Sequence, residues 1–66
     1  MKVRIDTEDN ALYFELDDAE IMESEEVQPG VILDFDKDGR LVGIEILDLS
    51  SRLAPETLRL MQFETV

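Results

Sequence analysis

Residues 34–45 read Asp-Phe-Asp-Lys-Asp-Gly-Arg-Leu-Val-Gly-Ile-Glu, and their folding decides the rest of the chain. The stretch fits the calcium-loop pattern D-x-[DN]-x-[DN]-G-x5-E at Asp34, Asp36, Asp38, Gly39 and Glu45. It also fits a hairpin. A tight two-residue turn at Asp38-Gly39 sets Phe35 opposite Val42, Leu33 opposite Ile44 and Val31 opposite Ile46. All three apolar pairs then share one side, and a slip of one residue would break every pair. On the other side lie Asp36 with Leu41, Asp34 with Gly43 and Ile32 with Glu45. In that hairpin Asp36 and Glu45 are separated by roughly 13 Å along the strands, at about 3.3 Å per residue. One ion held at roughly 2.3–2.6 Å by each ligand cannot span them. The calcium pattern also wants flanking helices. Here Gln28-Pro29-Gly30 is a breaker before the β-branched run Val31-Ile32-Leu33, and Val42, Ile44 and Ile46 alternate at period two. The hairpin is the preferred reading; a divalent-cation module built on Asp34, Asp36, Asp38 and Glu45 is the alternative.

Upstream, two more alternating runs appear. Val3 and Ile5 share a face of one, and Leu12, Phe14 and Leu16 share a face of the other. Thr7-Glu8-Asp9-Asn10 between them is turn chemistry. A two-residue turn at Asp9-Asn10 pairs Ile5 with Phe14 and Arg4 with Glu15; a four-residue turn shifts the register by two and keeps the faces. Residues 15–26 hold seven acids and no base. Ile21 and Val27 fit a third strand there, with Glu23 and Glu25 on the same face, as an acidic edge strand would have. Pro29-Gly30 suits a type II turn. Beyond residue 47 the period changes: Asp48 or Ser50 can cap a helical turn, and Pro55 and Glu56 suit a first turn. Leu58 and Met61, joined by Leu53 or Leu60, would form its apolar stripe. The expectation is one α+β domain over 1–66: a small antiparallel β-meander of four to five strands (about 2–6, 11–16, 21–27, 31–36 and 41–47), then a short helix at about 55–62. The helical tail, 48–66, packs on the sheet or on a second subunit.

The chain has 66 residues and a net charge of −11, from 17 acids and 6 bases. A domain this small buries only about 60% of its unfolded surface and usually needs a staple. Cysteine and histidine are both absent. That removes disulfides, thiolate metal sites and the commonest neutral-pH proton carrier. Oligomerisation remains, so a homodimer is expected. The acidic balance opposes phosphate-backbone binding and favours a basic protein partner. The surface for such a partner is Asp17, Asp18, Glu20, Glu23, Glu25 and Glu26. Ser24, Ser50 and Ser51 have no histidine to activate them, so no serine triad exists and no enzyme is expected. No cofactor is expected. With no apolar run near the roughly 18 residues of a membrane span and no signal-peptide core, a cytoplasmic protein is expected.

The run from Lys2 to Leu53 also resembles a family of short bacterial and archaeal proteins, domain of unknown function 2283. The likeness lies in "KVRID", the Asp-rich turn "TEDN", the strand "ALYFEL", the Glu-rich "ESEEVQPG" and, most specifically, "VILDFDKDGRLVGIEIL". The family carries no established activity, so the resemblance implies no catalytic residue. Because some members sit beside small predicted toxins, it implies an antitoxin-like role. This sequence, however, lacks the DNA-binding motif that many antitoxins carry.

Overall fold

The structure is a computed structural model and describes residues 1–60. Five strands form one antiparallel sheet: β1 (Lys2–Asp6), β2 (Ala11–Glu15), β3 (Glu23–Gln28), β4 (Val31–Phe35) and β5 (Leu41–Ile46). Two short helical pieces follow, α1 (Leu49–Arg52) and α2 (Pro55–Arg59). The α+β class is therefore as the residues indicate. The neighbour order is not that of a meander. It runs β1-β2-β5-β4-β3, with β5 at the centre. The cause lies in residues 16–22, which are too acidic to turn back as a buried strand. They leave β2 and cross to the far edge, with the Leu16 and Asp17 amides on the Val42 carbonyl and the Met22 amide on that of Phe35. The third strand accordingly starts at Glu23 rather than near residue 21. The helix expected at 55–62 is seen over Pro55–Arg59, and residues 61 and 62 lie outside the described residues. Of its expected stripe, Leu53 is partly buried and Leu60 exposed. The side chain of Leu58 and all of Met61 fall outside what is described.

The β1–β2 register pairs Val3 with Phe14, Arg4 with Tyr13 and Ile5 with Leu12, which is the four-residue-turn alternative. Asp6 selects it. Its Oδ1 accepts the amides of Glu8 and Asp9, each at 3.0 Å, and Asn10 closes the turn in the left-handed region at φ 54°. Glu15 consequently faces Lys2, 3.9 Å away, rather than Arg4.

In the β4–β5 hairpin Val31 faces Ile46, Leu33 faces Ile44, Ile32 faces Glu45 and Asp34 faces Gly43, as the alternation requires. The tip differs. The turn spans Asp36 to Gly39, whose amide donates to the Asp36 carbonyl at 3.1 Å, and Gly39 takes φ 77°. Shifting the turn by one residue puts Phe35 opposite Leu41, not Val42, and the register slips between Asp34 and Phe35. Val42 becomes the surplus residue of a bulge and is 1% exposed. Pro29-Gly30 joins β3 to β4, with Gly30 at φ 79° as a type II turn demands. That turn twists against the strands, and a second irregularity between Glu26 and Gln28 takes up the mismatch.

Directly opposed residues share a face, so the pairings spell out rows across the sheet. On one side run Val3–Phe14–Ile44–Leu33 and Ile5–Leu12–Ile46–Val31. On the other run Arg4–Tyr13–Glu45–Ile32–Glu26 and Lys2–Glu15–Gly43–Asp34–Ser24. One face is apolar and one polar. Asn10 anchors α1 at the edge of the apolar face: its carbonyl accepts the Leu49 amide at 2.9 Å and its Oδ1 accepts the Ser50 amide at 3.0 Å. Asn10 thus does the capping expected of Asp48 or Ser50: the Asp48 side chain makes no cap bond, and Ser50 lies within α1. Leu49 is buried, and together with Ile5 and Pro55 it lines a hollow beside the second apolar row. Arg52 ties the helix back, its guanidinium donating to the carbonyls of Leu47 and Pro29. All extensive packing in the described residues is strand to strand.

Candidate functional site

The polar face holds the chain's most unusual chemistry. Asp34, from the centre of β4, has no solvent exposure. Its Oδ1 accepts a 2.5 Å hydrogen bond from the Ser24 hydroxyl on β3. Its Oδ2 is buried with no donor. Beside it, on β5, the Glu45 carboxyl has its pKa raised above the ordinary range. A hydrogen bond to Asp34 is the main cause, followed by burial and the Asp34 charge. When Glu45 carries its proton it supplies a donor for Asp34 Oδ2, and the raised pKa favours that form. Tyr13 roofs the pair. Its hydroxyl lies over Gly43, the residue opposite Asp34, where any Cβ would collide with it. Burial, then the Asp34 and Glu45 charges, push the phenol pKa up, and Arg4, 5.2 Å from the ring centre, acts the other way. Tyr13, Glu45, Arg4 and Ile21 line an open groove with the β1–β2 turn.

The four acids of the calcium pattern do not act together. Asp34 and Glu45 form the pair just described. Asp36 serves its own turn: its Oδ1 accepts the amides of Asp38 and Arg40, each at 2.9 Å, and its Oδ2 accepts Arg40 Nε at 3.2 Å. These donors, the Arg40 amide foremost, hold its carboxyl below the ordinary range. Asp38 takes the other arm of the same guanidinium at 3.0 Å. Among the described residues no three acids are placed to hold one metal ion.

The six acids expected to meet a partner fall on one continuous margin. Asp17, Asp18 and Glu20 lie on the 16–22 crossing, and Glu23, Glu25 and Glu26 on the edge strand β3, of which every residue is exposed. Glu23 and Glu25 flank the apolar face, opposite Phe35 and Leu33; Glu26 flanks the polar one. The residues missed from sequence are Tyr13, Ser24 and Arg4. The available signal was Gly43, a strand-interior glycine, which marks a close approach by another group.

Among the described residues no helix is long and apolar enough to cross a membrane. No curated protein and no solved structure matches the chain. The profile of one family, described as "Protein of unknown function (DUF2283)", matches residues 2–50, which hold all five strands and the start of α1. The chain therefore belongs to the DUF2283 family of proteins of unknown function.

Proposed function

We propose that this protein is a non-enzymatic interaction module that binds a basic, extended segment of another protein along β3. The observation that carries this reading is the edge strand itself: among the described residues no strand pairs with the outer side of Glu23–Gln28, and every residue of it is exposed. An open edge offers main-chain hydrogen bonds to an added strand. Glu23, Glu25 and Glu26 deter a second acidic chain from pairing there and attract a basic one. Asp17, Asp18 and Glu20 extend the same field around the end of the sheet. An antitoxin-like protein gripping a basic toxin in the cytoplasm is the specific form of this reading.

Titration of the isotope-labelled chain with an unstructured Lys/Arg-rich peptide tests it. Amide shifts are expected in residues 23–28 at low ionic strength. They should fade as salt shortens the screening length to below about 8 Å. The triple charge reversal Glu23→Lys, Glu25→Lys, Glu26→Lys should abolish them. No shifts at low salt, or shifts confined to the polar-face groove, would overturn the reading.

A further inference from the structure

We infer that the apolar face of the sheet is closed by the same face of a second copy, so that the folded unit is a two-layer β-sandwich dimer. This rests on a different surface from the edge-strand reading and stands without it. Among its described residues one copy has almost no core of its own. Leu12, Val42 and Leu49 are the buried apolar side chains among the described residues. A sheet with an apolar side is stable only when a second layer covers it. Here Leu49 of α1 and Pro55 of α2 line a hollow with Ile5, at the end of one row. The other row, Val3–Phe14–Ile44–Leu33, is partly exposed along its whole length. Towards its margins Ile5 is 41% exposed and Leu16 and Leu41 are each 38% exposed.

Charge decides which occupant fits. Of the five strands' residues on this face, the charged ones are Glu23 and Glu25, both on the β3 margin. A basic partner finds no complement at the centre. A second copy does, because a two-fold axis near Ile44 on the central strand lays row on row and keeps the −11 charge of each chain outside. A specific interface needs roughly 1,000 Å² buried in total, about 500 Å² from each copy; the four side chains of the uncovered row, with Ile5, Leu16 and Leu41, are the surface that supplies it. Aligned packing sets the two sheets about 10 Å apart.

Sedimentation equilibrium of the full chain reads the mass directly. Twice 7.6 kDa is expected, persisting at about 100 μM chain, well above a micromolar Kd. Ile44→Lys should return the mass to one copy, and Glu26→Lys, on the other face, should leave it at two. Should Ile44→Lys fail to fold, filtered NOE spectra of a mixed labelled and unlabelled sample of the natural chain give the answer without a variant. Contacts between copies should join Phe14, Leu33 and Ile44. A mass of one copy overturns the inference, as does a dimer whose intermolecular contacts lie on the polar face, on a strand edge, or anywhere but this face.

Discussion

Glu45 and Asp36 are both carboxylates on one hairpin, yet they bind protons in opposite senses. Glu45 has its folded-state value raised above the ordinary 4.5. Its stabilising effect is full below that value and is lost as pH climbs through the raised one. Asp36 is lowered from 3.8, so its effect is full above that value and is lost as pH falls. The Glu45→Gln variant keeps a donor for Asp34 Oδ2 without the charge. We expect it to be more stable than the natural chain at pH 7, by about 1 kcal/mol, with the gain vanishing in mildly acidic buffer. Thermal melts at the two pH values check this, and an equal effect at both would refute a Glu45 proton donated to Asp34. Gly43→Ala would drive the Tyr13 ring off its seat, at a cost of about 1–3 kcal/mol. The loss should shrink when Tyr13→Ala is already present, a coupling that a double-mutant cycle measures. Sequence showed that Asp34 and Gly43 are opposed, but not that Asp34 is buried. Tyr13 comes from a strand 21 positions before Asp34, and within residues 34–45 the strand-interior Gly43 is the one hint of its approach.

At the scale of elements, the alternation of apolar residues located β1, β2, β4 and β5 and fixed the inner part of the β4–β5 register. The tip escaped because two turns compete there. Asp38-Gly39 invites a two-residue turn, but the Asp36 carboxylate collects two amides and a guanidinium, which favours the longer one. Asp36→Ala should therefore destabilise the fold by about 1–3 kcal/mol, seen as a lower midpoint in urea. If the midpoint does not move, the carboxylate is not what chooses the turn. The β2–β5 pairing was not legible either. Periodicity gives faces, while neighbour order depends on whether residues 16–22 can turn back, and their acids bias them towards solvent. The third strand read weakly for a related reason: Glu23 and Glu25 occupy the positions of an apolar face because that strand lies at its margin.

For the whole molecule, net charge and the uncovered face pull in different directions. An excess of 11 negative charges repels itself, so added sodium chloride should raise the melting temperature. The edge-strand complex, by contrast, should weaken in the same titration. If two copies form the folded unit, the melting temperature should also rise with protein concentration. A melting temperature independent of concentration would indicate a self-sufficient single chain. Composition led to the expectation that a chain with no cysteine or histidine is stapled by a second subunit. The location of the surface to be covered needed the complete pairing map.

The strand at the centre of the sheet is the last one to leave the ribosome. Until residues 41–46 emerge, β2 and β4 each present a bare inner edge, one in each of two separate hairpins. Landing of β5 on β2 joins them, and only then can Arg52 fasten the Pro29 turn. Nascent chains halted before residue 41 would thus carry two unfinished ribbons with open edges, while chains a dozen residues longer could close the sheet in a single event.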